Sequence, residues 1–350
     1  MCFSHALLRA GTFGILGLLV GCNAPLTPPT PTRVSGESFI VVGEEPAALA
    51  YLPARGEPLR LRNTYAPSPG SINYEEGRDY TTDYARGTVT RLPGSRLPDF
   101  RTHVLYGQVA FDHTKFPHYS NQAFFVFADY TPAALVFWPI QTSQADRLRV
   151  TRAKLLGGAP VTLVAFGDSI TAGGEASTPR LIFWQRWADH LQEKYPQARL
   201  NAINAATGGD NTTRGLQRLS DKVLAAHPDL VLIAFGMNDH NHRGVPVADF
   251  ASQLRSMIAR IRAATTAEII LLSTFPPNPQ WLHSSHRMAE YAAATANVAA
   301  ATGCAYADVF NNWQAMTARK RPEDFLANNI NHPNDFGHEI YYRVLAALGL

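Results

Sequence analysis

The chain has 350 residues, of which 46% are hydrophobic and 17% charged, and its formal net charge is +3. That apolar content is too high for a disordered chain and ordinary for a globular one, and the length allows two domains or one with a large extension. A small net charge, with no Lys/Arg-dense stretch and no zinc-type cysteine spacing, argues against nucleic acid as a partner.

In chain order, the first segment reads as a targeting signal, residues 1–21. Arg9 supplies a weak basic region, and Thr12 to Val20 is an unbroken run of apolar and small residues. That run is shorter than the roughly 20 residues a membrane span needs, and it suits the core of a signal peptide. It ends in Leu19-Val20-Gly21-Cys22, which resembles a bacterial lipobox. Cleavage before Cys22 would leave that cysteine as a lipid-modified N-terminus. The expected location is therefore the bacterial cell envelope, at the outer membrane or periplasmic face, with Cys22 as membrane anchor. An ordinary secretory signal with an incidental cysteine is the alternative. Residues 22–37 read as a linker, because Asn23 to Thr32 is dense in Pro and Thr and such a segment stays extended.

Residues 38–143 have the texture of a small β-sandwich or jelly roll. Short runs of β-formers appear at Ser38–Val42, Leu59–Arg62, Gly87–Leu92, Val104–Phe111 and Ala123–Phe127. Turn chemistry such as Pro67-Ser68-Pro69-Gly70 and Leu92-Pro93-Gly94-Ser95 separates them. The many Tyr and Phe residues read as strand cores, with a sugar-stacking surface as the other reading.

From 144 to 350 the pattern alternates. Strands are expected at Val161–Phe166, Leu200–Asn204, Leu230–Phe235, Ile269–Ser273 and Cys304–Val309. Helices are expected at Leu181–Lys194, Thr213–Ala226, Val247–Ala264, His286–Ala301 and Glu339–Leu348. Strands spaced by single helices predict a three-layer, doubly wound α/β domain with a mostly parallel sheet. Cys304 opens an apolar run and reads as a buried thiol; with Cys2 and Cys22 at the N-terminus, no disulfide framework can form.

The chemistry gathers at strand ends, where open α/β sheets bind ligands. Gly167-Asp168-Ser169-Ile170-Thr171 follows the first strand, and Thr207-Gly208-Gly209-Asp210 follows the second. Gly236-Met237-Asn238-Asp239 follows the third, and Asn331-His332-Pro333-Asn334-Asp335 lies beyond the last. A serine on a turn becomes a nucleophile when a neutral imidazole takes its proton and N–H donors await the oxyanion.

These four blocks resemble those of the SGNH hydrolases, the GDSL-type esterases, over about Val161 to Leu350. The resemblance implies Ser169 as nucleophile, His332 as base, and an oxyanion hole from the Ser169 and Gly209 backbone N–H groups and the Asn238 side chain. Ala206 replaces a glycine often found in the second block. The family usually carries Asp three residues before its histidine, where this chain has Asn329. Asn329 is the candidate orienter of His332, with a backbone carbonyl or Asp324 as alternatives.

Asp335-Phe336-Gly337-His338 and Asp239-His240-Asn241-His242 also spell Asp-x-x-His. The first pattern offers His338 as an alternative base, but the resemblance, in which a glycine and a polar residue often stand where the last helix begins, implies that His338 is structural. His240, His242, His283 and His286 match no zinc signature, so neither metal nor organic cofactor is expected. Trp184 and Trp187 read as core. The resemblance, export and the β domain together lead to an esterase that removes small acyl groups from an acylated carbohydrate through an acyl-serine. Alternatives are a lipid or aryl-ester hydrolase, a glycan O-acetyltransferase, and a non-catalytic glycan-binding lipoprotein.

Overall fold

The structure is a computed structural model that describes residues 33–134 and 139–350. The expected signal segment, Cys22 and the Pro/Thr-rich stretch up to residue 32 lie outside the described residues.

The N-terminal region holds two small antiparallel sheets. One has the order β1-β7-β3-β4, from β1 (Val34–Phe39), β3 (Arg60–Arg62), β4 (Asn73–Tyr74) and β7 (Val126–Tyr130). The other has the order β2-β6-β5, from β2 (Ala47–Ala48), β5 (Tyr80–Asp83) and β6 (Thr88–Arg91). Phe39, Val41, Leu61, Tyr80, Val89 and Tyr130 are buried in one shared cluster, which holds the region together.

Three expectations change here. The first strand begins at Val34, so residues 34–37, assigned above to the linker, belong to the sheet. The strand expected at Val104–Phe111 does not form. Leu105 and Phe111 are buried but Val104, Tyr106 and Val109 are exposed, so burial does not alternate along the run, and the backbone turns at Gly107 (φ +71°) and again at Ala110 (φ +50°). At Ala123–Phe127 a 3-10 turn (Gln122–Phe124) comes first, and the strand starts at Val126.

The second region is the expected doubly wound fold. Its sheet is fully parallel, in the order β12-β11-β10-β8-β9. The strands are β8 (Pro160–Gly167), β9 (Arg199–Asn204), β10 (Leu230–Ala234), β11 (Glu268–Leu272) and β12 (Ala305–Ala307). The helices are α1 (Arg149–Leu156), α2 (Ser169–Ala172), α3 (Phe183–Lys194), α4 (Thr212–Lys222), α5 (Val247–Ala264), α6 (Met288–Thr302), α7 (Val309–Thr317) and α8 (Asp335–Ala346). Helix α7 lies where the sequence pattern ran the last strand on to Val309. Asp308 caps it by accepting the Asn311 N–H at 3.1 Å, and that cap ends the strand. The central strands are β-branched and apolar because helices cover both faces. Val164 of β8, for instance, pairs with Val231 on one side and Ile203 on the other.

The strand order reverses at β8: its chain successor β9 lies on one side and β10 on the other. The carboxyl end of such a strand is the crevice where this class of sheet binds ligands.

The two regions interlock through residues 320–334. Lys320 Nζ lies 2.6 Å from Glu37 Oε1 of β1, and both side chains are fully buried. Glu37 also accepts the Ala50 N–H at 2.8 Å and the Tyr130 O–H at 2.5 Å, so its charge is paired and its oxygens are satisfied. Asp324 Oδ1 accepts the Ile40 N–H at 2.8 Å, and its backbone carbonyl accepts the Ser38 O–H at 2.6 Å. The Asn121 N–H donates to the Ala327 carbonyl at 2.7 Å. The β region thus grips the segment that carries His332.

Candidate active site

Ser169 is the first residue of the single-turn helix α2, immediately past β8. Asp168 caps that turn by accepting the Ile170 N–H at 2.9 Å, which fixes the sharp change of direction. Burial pushes the Asp168 carboxyl up to about 7, against the help of its backbone hydrogen bonds. The Ser169 hydroxyl lies 2.8 Å from His332 Nε2. Two side chains 163 residues apart therefore meet at hydrogen-bond distance.

The second and third blocks stand at the ends of β9 and β10. Gly208 packs against the serine: a Cβ there would lie 3.9 Å from Ser169 Cβ. Gly209 has φ +77°, a conformation that favours glycine, and an added Cβ would meet nothing within 4 Å. Asn238 Nδ2 donates to the Asp210 carbonyl at 2.8 Å, which holds the amide beside the second block and leaves its other N–H free of that bond. Asp239 ties the third block to the start of α4: its Oδ1 accepts from Thr212 N at 2.9 Å and from Thr212 Oγ1 at 2.5 Å, and its Oδ2 accepts the Gly236 N–H at 3.1 Å. Burial pushes this carboxyl up to about 6.

His332 sits on a loop held by carboxamides. Asn328 Oδ1 accepts three N–H groups, from Ile330, Asn331 and His332, at 3.0, 2.9 and 2.9 Å. The Ala327 N–H donates to the His332 carbonyl at 2.9 Å. Burial alone pushes the imidazole down to about 4, so the ring is neutral over the physiological range.

Asn329 does not orient that ring, contrary to the expectation from its position. Its Oδ1 accepts from Asn121 Nδ2 and from Asn278 Nδ2, both at 3.2 Å, and its backbone is left-handed with φ +56°. Asp324 is committed as well, to the Ile40 and Arg321 N–H groups. Among the described residues no carboxylate hydrogen-bonds to His332. The ring instead lies against Gly174, where a Cβ would come 3.1 Å from Nδ1.

His338 is fully buried, with Nε2 3.4 Å from the Gly174 carbonyl and its ring stacked on Phe183. His240 is buried and bonds the Met237 carbonyl through Nδ1. Trp184 is buried and donates Nε1–H to the Thr171 carbonyl at 2.8 Å, and Trp187 is fully buried. Among the described residues no group of three His, Cys, Asp or Glu is placed to hold a metal ion. Asn121 and Asn278 were not singled out from the sequence, because they meet Asn329 only through the tertiary fold. Asp239 stood in the third block and in an Asp-x-x-His pattern, but its tie to Thr212 was not foreseen.

A parallel α/β sheet with a Ser–His pair at its carboxyl edge is the architecture of the SGNH-type hydrolases. The chain belongs to the GDSL-like Lipase/Acylhydrolase family, a family of carboxylic ester hydrolases, which it matches over residues 165–340. It is similar to an arylesterase of Vibrio mimicus, at 35% identity over 120 residues, covering 33% of this chain and 56% of that protein. It is also similar to Esterase TesA of Pseudomonas aeruginosa, at 31% identity over 131 residues, covering 36% of this chain and 62% of that one. The chain thus spans a little over half the length of the curated relatives it matches. Among solved structures, a two-domain esterase active on acetylated mannans, crystallised with mannopentaose, shares the fold with a TM-score of 0.50 and 20% identity, covering 59% of this chain and 54% of that one.

Proposed function

We propose that the protein is a serine esterase that removes small acyl groups, foremost acetyl, from a carbohydrate. The observation that carries the hydrolytic part is the 2.8 Å contact between Ser169 Oγ and His332 Nε2. Ser169 Oγ attacks the ester carbonyl as its proton passes to His332 Nε2. The oxyanion is met by the backbone N–H groups of Ser169 and Gly209 and by the Asn238 amide. Collapse of the tetrahedral intermediate breaks the C–O bond to the alcohol, which leaves with the proton held by His332. Water then attacks acyl-Ser169, giving its proton to His332, and the serine is regenerated with release of the acid. In this reading the pair works as a dyad, its imidazole kept neutral by burial and set in place by its backbone.

The carbohydrate assignment is supported by the β region beside the site and by the fold shared with an esterase active on acetylated mannans. The similarity to an arylesterase favours an aryl-ester or lipid hydrolase as the second reading. We propose further that the chain is exported and anchored through lipid on Cys22, on the strength of Leu19-Val20-Gly21-Cys22. The deciding experiment is turnover of 4-nitrophenyl esters of rising acyl length and of acetylated oligosaccharides, with Ser169→Ala as control. Sharp preference for acetyl and release of acetate from the glycan support the proposal; preference for long chains supports the second reading. No fluorophosphonate adduct at Ser169 would instead indicate a non-catalytic binder.

A further inference from the structure

A cavity of about 360 Å³ lies between the β region and the α/β domain, beside the His332 loop. Tyr65, Phe125 and Phe127 of the β region give it an aromatic wall. Glu175 and Asp335 supply carboxylates from the α/β side, and no Lys or Arg among the described residues lines it. Gln122 Nε2 donates to Glu175 Oε2 at 2.7 Å and so bridges the two regions at this cavity.

The cavity shares its walls with the segments that hold the imidazole. Glu175 follows Gly174, which packs against the His332 ring, and Ala327, another wall residue, donates its N–H to the His332 carbonyl at 2.9 Å. Glu175 itself has φ +67°, a strained conformation for a residue with a side chain, of the kind that gathers at ligand clamps. Asp335 is buried and oriented, with Oδ1 accepting the Ser177 N–H at 2.8 Å. Its Oδ2 has no hydrogen-bond partner among the described residues.

We propose that this cavity is a subsite for a neutral glycosyl residue of the substrate, next to the one that carries the acyl group; the proposal rests on the carbohydrate-esterase reading. A sugar offers hydroxyl donors to the carboxylates and a C–H face to the aromatic wall. A phosphate headgroup or a uronate would meet two negative charges, and the two arginines that touch the wall residue Tyr65, Arg62 and Arg186, are already paired with Asp129 and Glu339. An alkyl chain would strip water from both carboxylates and return no donor. The size lies in the usual range for ligand pockets, about 300–1,000 Å³, and junctions between folded regions are where such pockets concentrate.

The test reads binding without turnover, in the Ser169→Ala protein, by calorimetry. Its probes are acetylated xylo- and manno-oligosaccharides, oligogalacturonides and lysophosphatidylcholine. The neutral oligosaccharides are expected to bind and the two anionic or zwitterionic probes are not. Adding Thr178→Trp, which fills the cavity from an exposed wall position, or Glu175→Ala should weaken neutral binding at least tenfold. Circular dichroism establishes that each variant is folded, and either one suffices. The inference is overturned by no neutral binding, by preference for the charged probes, or by neutral binding that both variants leave unchanged. Wild-type turnover of simple acetyl esters is a separate measurement, so failure of the subsite and failure of the esterase reading are told apart.

Discussion

Asn121 of the β region donates its side-chain amide to Asn329 Oδ1 at 3.2 Å, three residues before the imidazole that faces Ser169. This contact settles where the Asn329 side chain is spent. With Asn278 donating to the same oxygen, the carboxamide belongs to the scaffold of the loop and not to the ring.

Restoring a carboxylate by Asn329→Asp is therefore expected to change kcat on 4-nitrophenyl acetate by less than about tenfold. An aspartate accepts the same two donors and stays turned from the ring. An orienting carboxylate in direct contact with the histidine is worth about 10⁴ in the serine proteases. A rise of two orders of magnitude in kcat would mean that residue 329 reaches the imidazole after all.

As the proposed base, His332 must be neutral to take a proton, and burial pushes it down to about 4. Activity is therefore expected to persist as pH falls through the usual histidine value of about 6.5 and to be lost only near pH 4. Asp168, pushed up to about 7 by burial, takes up its proton just above that interval, and Asp239, pushed up to about 6, within it. A kinetic profile alone would mix these groups with His332. NMR titration of the His332 ring in the Ser169→Ala protein separates them, and a midpoint near 6.5 there would contradict the buried, neutral base.

In the proposed mechanism Asn238→Ala removes one oxyanion donor and leaves Gly209 and the serine N–H in place. Turnover is expected to fall about 10²–10³-fold, with KM changed little. The Asp210 carbonyl loses its partner at 2.8 Å, but Asp239 still ties the block to α4. Steady-state kinetics together with an unchanged circular dichroism spectrum check both halves.

The parallel sheet was readable in the sequence because each central strand is an apolar, β-branched run that ends in a turn block, as at Val161–Phe166 and Leu230–Phe235. Ser169 and His332 were readable for the same reason: each stands in a short block whose residue types have a chemical logic. The β region was harder. Its strands are as short as two residues, at β2 and β4, so alternation has no length in which to appear. Val104 to Phe111 has strand-like composition, but positive φ at Gly107 and Ala110 breaks the run, and Phe111 pairs with Trp281 in an isolated bridge. The grip of the β region on the His332 loop left no trace in the sequence, since Glu37–Lys320 and Asn121–Asn329 join positions more than 200 residues apart.

That grip has a measurable strength. Lys320→Met leaves the fully buried Glu37 without its cation, at an expected cost of about 3–5 kcal/mol in urea unfolding. The double variant Lys320→Met/Glu37→Gln should recover much of the loss, because the amide oxygen can still accept the Ala50 N–H, the amide NH2 can donate to the Tyr130 hydroxyl, and no lone charge remains. A single-variant cost below about 1 kcal/mol would show that the pair does not join the two regions energetically.

Gly174 is where the nucleophile turn and the base meet. Its N–H donates to the Ser169 carbonyl at 2.8 Å, and a Cβ at this position would lie 3.0 Å from that carbonyl oxygen and 3.1 Å from His332 Nδ1. Both distances are tighter than ordinary contact, and the neighbour on one side is backbone. In Gly174→Ala the imidazole is the part able to move, by a few tenths of an ångström; since about 1 Å at a reacting group costs about 10²-fold, a fraction of that costs about tenfold. The variant should fold normally, bind acetyl ester with a similar KM and lose at least tenfold in kcat. Wild-type kcat in Gly174→Ala would show that contact with Gly174 does not set the position of the ring.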